Sequence, residues 1–338
     1  MKNFNKKLEI GKVPENVLKR SVMNRLHTNR QEVLLGSAVG EDCAAIALAA
    51  DEVFVLSTDP ITGTAKDIGR LSVLVTVNDL ASAGAEPVGI MVTVLLPVGS
   101  TERDLAVIMA DVDEACAKAD IQVIGGHTET TAVVKVPVVS VTGVGKVRQG
   151  CLVSTSGAKP GMDLIATKAV GIEGTSILAK EFGDALRERF SEEFVARAAA
   201  FDQYLSVLPE GRIAAEFGVG AMHDVTEGGI FGALWEMAEA SGTGILADLF
   251  QIPIRQETVE ICEFFGIDPY RLISSGCMLI AAFDGNGLVA RLREGGIPSS
   301  VIGRVTEGSD RIVVSGDRRS HLVPPESDEL HKALTVTA

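Results

Sequence analysis

Aromatic residues make up only 4% of this 338-residue chain, with one tryptophan and two tyrosines. That scarcity disfavours a single-strand nucleic-acid binder, whose bases need aromatic faces to stack on. Positive charge is short as well. Lys and Arg number 31 against 45 Asp and Glu, for a net charge of -14, so the basic face that phosphate-backbone binding requires is missing. An anionic ligand on so acidic a surface calls for bridging metal ions. The five cysteines, Cys43, Cys116, Cys151, Cys262 and Cys277, are odd in number and never form a CxxC pair. Neither a disulfide framework nor a structural zinc site is therefore expected, and a reducing cytosol fits. No long uninterrupted apolar run is present: Leu71 to Val98 is broken by Asn78, Asp79, Glu86 and Pro87, and Met1 to Leu8 is polar and basic. We expect no signal peptide, no membrane span and a cytoplasmic protein.

What the chain does have is apolar mass. At 46% hydrophobic it can bury two cores, and Ser154 to Gly161 reads as the linker between a domain over 1–155 and another over 156–338. Pro14 to Leu26 has the spacing of an amphipathic helix. Ala44 to Leu48 and Val53 to Ser57 read as strands, the second ended by Asp59-Pro60 because proline lacks a ladder donor. A helix from Ile68 to about Ala83, closed by a left-handed Gly84, is apolar nearly all round and should be buried. Strand Ile90 to Leu96, helix Glu102 to Ala119 and strand Ile121 to Ile124 continue a β-α-β-α alternation into a loop at Gly125 to Glu129. The second half is again mixed α and β. The tail after Pro325 shows no core pattern and is expected to be peripheral.

Several constellations could carry chemistry. Asn78 and Asp79 stand out, since polar groups on a buried helix are costly without a hydrogen-bond partner, a metal or a ligand. Asp42, in Gly40-Glu41-Asp42-Cys43, and Asp59 are hard oxygen donors suited to Mg²⁺, or ordinary turn carboxylates. In Gly125-Gly126-His127-Thr128-Glu129 the glycines could admit phosphate to the backbone, and His127 is a metal ligand, a general base or a hydrogen-bonded structural group. Gly171-Ile172-Glu173-Gly174 and Asp224-Val225-Thr226-Glu227-Gly228-Gly229 each precede a helix, so each either turns an N-terminus toward an anion or forms a plain cap. No P-loop lysine and no dinucleotide glycine fingerprint is present.

Taken in order, Gly40 to Ala45, Ser57-Thr58-Asp59, Ile68-Gly69-Arg70 leading to Thr76 through Pro87, and Gly125 to Glu129 resemble the N-domain motifs of the aminoimidazole ribonucleotide synthetase superfamily. Met222 to Ile230, Ser241 to Ile245 and Ile252 through Pro269 resemble its hydrogenase-maturation carbamoyl-dehydratase branch. The likeness covers nearly the whole chain. It implies a mixed α+β, PurM-like fold whose N-terminal domains pair into a dimeric β-barrel flanked by helices, followed by a C-terminal α/β sandwich-like domain. A homodimer that binds ATP and Mg²⁺, with a maturation protein as a further partner, is also implied. By the resemblance Asp42, Asp59 and Asp79 hold the metal; Asp42, Asp59, Asn78, Gly125, Gly126, Thr128, Gly171 and Gly228 contact the nucleotide; and Asp79, His127 and Glu173 serve catalysis.

The sequence also departs from the branch. Glu173 stands where the dehydratase usually has His, Glu227 where it has Arg, and no cysteine follows Cys277, although that branch attaches its carbamoyl group to a C-terminal cysteine. The expected activity is thus phosphorylation of an amide, carbamoyl or carbonyl oxygen of a small substrate by Mg-ATP. The alternatives are a small-metabolite kinase like the thiamine-monophosphate branch, and a nucleotide-binding maturation or regulatory protein without turnover.

Overall fold

The computed structural model describes residues 7–8, 11–12, 15–36, 45–62, 67–325 and 327–336. Chain contacts divide it into two compact units, one of residues 1–80 and 85–151, the other of 81–84 and 152–338. In chain order the first unit contains β1 (Gly11–Lys12), α1 (Glu15–Ser21), β2 (Val33–Leu35), β3 (Ala45–Ile46), β4 (Glu52–Ile61), α2 (Ile68–Ser82), β5 (Glu86–Pro97), α3 (Glu102–Ala119), β6 (Gln122–Thr131) and β7 (Val138–Arg148). Five of these strands form one sheet in the order β1-β6-β5-β7-β4. Within it β5 and β6 run parallel, joined through α3, and the other pairs are antiparallel.

Two sequence expectations change here. Strand β4 does not stop at Asp59: it runs through Pro60, paired with Ser140, to Ile61. As the edge strand of its sheet, β4 has one side free of ladder partners, so a residue without an N–H is tolerated. The expected loop at Gly125 to Glu129 is instead the middle of β6, laid against Met91 to Leu95 of β5. Gly126 is required there, because at φ 151° a Cβ would lie 2.0 Å from the Val92 carbonyl oxygen.

Helices α2 and α3 cover one face of the sheet. Thr76 and Leu80 of α2 lie on Gly143 of β7, and α2 crosses α3 so closely that a Cβ at Gly69 would meet the Ile108 carbonyl. Thr101 and Asp104 form a capping box that starts α3, and Asp120 closes it in the left-handed conformation. Phe54, Leu56 and Met91, at 48%, 64% and 41% exposure, leave apolar surface on the sheet.

The second unit contains β8 (Asp163–Thr167), α4 (Ile172–Glu181), α5 (Gly183–Arg187), α6 (Glu192–Ala199), α7 (Leu208–Phe217), β9 (Ala221–Val225), α8 (Gly229–Ser241), β10 (Gly244–Asp248), α9 (Gln256–Phe265), β11 (Cys277–Ala282), α10 (Gly285–Glu294), β12 (Ser299–Thr306), β13 (Arg311–Ser315), β14 (Arg318–His321) and α11 (Glu329–Val336). Its seven-stranded sheet has the order β14-β13-β10-β12-β8-β11-β9. All six residues of β11 are buried, since both faces of the sheet are covered. Cys277, Leu279 and Ala281 pack with Ile230, Ala233, Leu234 and Met237 of α8. Met278 and Ile280 pack on the other side, with Ala214 of α7 and Leu288 and Leu292 of α10.

The tail after Pro325 is not peripheral. Ala333 is fully buried and Leu330 packs on it, in a cluster with Leu178 and Ala179 of α4 and Ile261, Cys262 and Phe265 of α9. So short a helix carries too few apolar positions for a periodic pattern to show in the sequence.

Candidate nucleotide and metal site

Strand alternation decides which candidates meet. Gly143 faces α2, and its cross-strand partner is Ser57; Val141, two residues back and buried, opposes Asp59. Ser57 and Asp59 therefore sit on the helix-covered face of β4, while Thr58 turns away to bond Thr142 at 2.9 Å. From above, α2 brings Asp79 down onto β4, where its Oδ2 accepts the Ser57 hydroxyl. Asn78 is 1% exposed and Asp79 half-buried, so the polar pair on this apolar helix is held inside by bonded partners.

The set Asp59, Asp79 and Ser57 offers hard oxygen atoms at the edge of the core. Among the described residues no group of three or more His, Cys, Asp and Glu side chains is placed to hold a metal. That donor chemistry fits Mg²⁺, which takes one or two carboxylates and completes its octahedron with water and phosphate. Asp42 lies outside the described residues.

His127 is not in this set. Register pairs it with Thr93 and pairs Thr128 with Val94. Val94 is buried beneath the helices, so Thr128, 7% exposed, shares the face of Asp59 and Asp79, while His127 points to the opposite face. There His127 Nε2 lies 3.2 Å from Glu129 Oε2, and its side chain is 46% exposed. Gly125 and Gly126 are strand residues rather than a phosphate loop.

In the second unit the two glycine turns are joined by the segment 268–277. The Gly171 N–H, at the start of α4, donates to Ser274 Oγ at 2.6 Å, and the Ser274 N–H donates to the Thr226 carbonyl at 3.3 Å. Gly228 ends its turn at φ 78°, and its N–H donates to Asp328 Oδ2 at 2.8 Å. Both N–H groups expected to face an anion are thus engaged by the chain's own oxygens. Glu173 is buried and accepts the Ser275 N–H at 3.2 Å. Burial pushes its carboxyl above the usual range, the Ser275 hydrogen bonds oppose that, and the Asp328 and Glu227 carboxylates raise it further. Burial likewise raises Asp328, against bonds from the Leu330, Gly228 and Ile273 backbone.

Sequence reasoning missed Ser274, Ser275 and Asp328, and also Lys168. The last sits at φ 52° just past β8, and its ammonium bonds the carbonyls of Tyr204, Ser206 and Gly276 at 3.1, 2.6 and 2.9 Å and pairs with buried Glu210 at 2.5 Å. The adjacent Ser274-Ser275-Gly276 was a readable turn signal. Nothing local marks Lys168, because its partners come from three distant segments.

Residues 40–147 match the family model for the N-terminal domain of AIR synthase related proteins, and residues 159–315 match the model for their C-terminal domain. A carbamoyl dehydratase HypE from Cupriavidus necator is 31% identical over 263 residues, covering 75% of this chain and 73% of the relative. This chain belongs to the AIR synthase related family, in its HypE-like branch. Over a longer span, a putative hydrogenase expression/formation protein of Methanocaldococcus jannaschii is 29% identical to the HypE-like chain, covering 90% of it and 91% of the relative. In fold, the HypE-like chain is similar to a hydrogenase maturation protein HypE in complex with ATP, with a TM-score of 0.79 at 21% identity over 96% of this chain and 97% of that one. A thiamine-monophosphate kinase from Stenotrophomonas maltophilia aligns with a TM-score of 0.72 at 22% identity over 90% and 98% of the two chains. The chain in a HypE–HypF complex aligns with 0.70 at 22% identity over 82% and 92%. These likenesses establish the mixed α+β, two-domain fold expected from the sequence.

Proposed function

We propose that this HypE-like chain is an enzyme that uses Mg-ATP to phosphorylate a carbamoyl, amide or carbonyl oxygen of a small substrate. The carrying observation is the Ser57–Asp79 bond, which fixes a carboxylate of helix α2 on the face of β4 that Asp59 shares. Carboxylates so placed hold a divalent cation, and family membership makes the nucleotide ATP. Asp59 and Asp79, with Asp42, are the metal ligands of this reading, and Asn78 and Thr128 supply polar contacts to the nucleotide. Bound Mg²⁺ would neutralise charge on the phosphate oxygens during transfer. The chain's own part is positioning. Ser57 donates a hydrogen bond to Asp79 and fixes its rotamer, and the helix cover over β4 limits water.

Glu173, buried and proton-retaining, is the acid-base candidate of the second unit, on a wall built by Gly171, Gly228 and Ser274. His127 and Glu129 belong to the open sheet face. We assign to that face, with its exposed Phe54, Leu56 and Met91, the contact with a second copy that would close the barrel. A maturation protein partner and a cytoplasmic setting complete the proposal, with 1–155 as the nucleotide-binding domain and 156–338 as the second. Among the described residues no helix is long and apolar enough to cross a membrane.

Calorimetric titration with ATP, with and without Mg²⁺, tests the site. Metal-dependent binding should weaken at least about tenfold in Asp79→Asn and by less in Ser57→Ala, with thermal unfolding near wild type. Equal binding in all three proteins overturns the assignment. The kinase-like fold neighbour supports a second reading, in which the substrate keeps the phosphoryl group. Release of inorganic phosphate with ADP separates the first reading from a stable phosphorylated product.

A further inference from the structure

The side chain of Lys168 bonds neither Glu173 nor the glycine turns at Gly171 and Gly228, but it holds the segment that joins them. Lys168 follows β8 at φ 52°, a left-handed conformation that a residue with a side chain keeps only where its surroundings fix it. Its ammonium donates to the carbonyls of Tyr204, Ser206 and Gly276 at 3.1, 2.6 and 2.9 Å. Glu210 of α7, fully buried, supplies the countercharge at 2.5 Å. A lysine placed only to neutralise Glu210 would not need its N–H groups spread over carbonyls of two separate segments.

One of those segments is the turn before β11, and residues 273–276 of it run along residues 171–174. The Ile273 carbonyl accepts the Gly174 N–H at 3.1 Å, Ser274 Oγ accepts the Gly171 N–H at 2.6 Å, and the Ser275 N–H donates to Glu173 Oε2 at 3.2 Å. Gly276 lies against Ile172, whose Cδ1 would be 2.8 Å from a Cβ there. At φ 98° Gly276 also approaches Tyr204 so closely that a Cβ would lie 2.5 Å from the Tyr204 carbonyl oxygen. Lys168 bonds the carbonyls of both residues and so ties this close approach together. We propose that Lys168 is a positioning residue: by clamping Gly276 to Tyr204 and Ser206 it holds the turn 273–276 along the start of α4 and, given the reading of Glu173 as the acid-base group of the second unit, keeps that group in place on its wall. Glu210 balances the charge of the clamp and takes no part in the alignment.

Amide hydrogen exchange of the full-length protein tests this. Lys168→Met combined with Glu210→Gln removes the clamp without leaving a buried charge unpaired, whereas Glu210→Gln alone keeps the three carbonyl bonds. In the double variant the amides of Gly171, Gly174 and Ser275 should exchange at least about tenfold faster, while those of Leu279 and Ile280 in β11 keep their wild-type rates. Glu210→Gln alone should leave the turn amides near wild type. Lys168→Arg keeps the charge, but its planar fork does not match three convergent carbonyls, so it should speed the same amides by less, and it decides the matter if the double variant fails to fold. A second readout is the stability of each protein relative to its Glu173→Gln counterpart across pH. Burial is the largest cause of the raised Glu173 carboxyl, so a turn released to water should shrink the pH-dependent difference to less than about half in the double variant. A purely stabilising ion pair would speed exchange in β11 and the turn alike and leave that difference at its wild-type size, and either result overturns the assignment. A flat comparison of wild type with Glu173→Gln would instead remove Glu173 as a proton-retaining group, and the exchange rates would still decide the role of Lys168.

Discussion

Asp328 accepts the Gly228 N–H at 2.8 Å, across 100 residues of sequence, and ties the last helix to the turn that starts α8. The same carboxylate caps its own helix by accepting the Leu330 N–H through Oδ1 at 2.8 Å. A negative group at both N-termini offsets their unpaired N–H groups.

Removing this carboxylate strands the Gly228 and Leu330 donors, and the Ile273 N–H with them. Asp328→Ala is expected to cost about 2 kcal/mol in urea unfolding, and Asp328→Asn, which keeps an acceptor, about half as much. An unchanged midpoint in Asp328→Ala would show that the tail is not anchored there.

The buried Glu173 gives a pH signature. Its folded pKa is raised, so the protonated form is favoured in the fold and its contribution is fully present below the unfolded value near 4.5. As pH rises through the window up to the folded pKa, that contribution is lost. Glu173→Gln does not titrate, so its stability relative to wild type should climb with pH across this window, by up to about 1.4 kcal/mol per pH unit. Parallel stability-pH curves for the two proteins would contradict the burial assignment.

Glu32 behaves in the opposite sense. Hydrogen bonds from Arg30 and from Lys146, the latter at 2.7 Å, hold its carboxyl down to about 2. Its contribution is present above the unfolded pKa near 4.5 and is lost as pH falls through the folded value. Glu32→Gln should therefore destabilise by about 2 kcal/mol at neutral pH, with the gap closing toward pH 2 in acid unfolding.

Gly126 separates a structural glycine from a ligand-approach glycine. Because the Val92 carbonyl fills the space of a Cβ, Gly126→Ala should lower stability by about 3 kcal/mol or more. Gly125, whose Cβ would meet only the Met91 side chain at 3.7 Å, should accept alanine with a change within about 0.5 kcal/mol. Thermal unfolding of the two variants reads this directly, and equal costs would remove the distinction.

Much of the architecture was legible in the residues. The apolar surround of Asn78 and Asp79 on α2 announced a buried polar pair, and both are held inside the fold by partners. Helix α3 and the left-handed Gly84 fell where local patterning put them, because capping, helical period and positive φ are properties of short segments. Pro60 misled, since its cost in a strand depends on whether that strand is at an edge, and no local pattern says so. The glycine pair of β6 read as a loop for a similar reason: only the β5 carbonyl pressed against Gly126 makes glycine a strand residue there.

By itself the sequence determined the family, the mixed α+β class and the buried polar pair, because motif order and segment periodicity are carried by neighbouring residues. Tertiary structure alone decided that His127 and Thr128 face opposite sides of a sheet, that Asp79 rests on Ser57, and that Asp328 reaches Gly228. Those outcomes follow from strand register and from contacts between distant segments, which form when the core closes and leave no periodic trace along the chain.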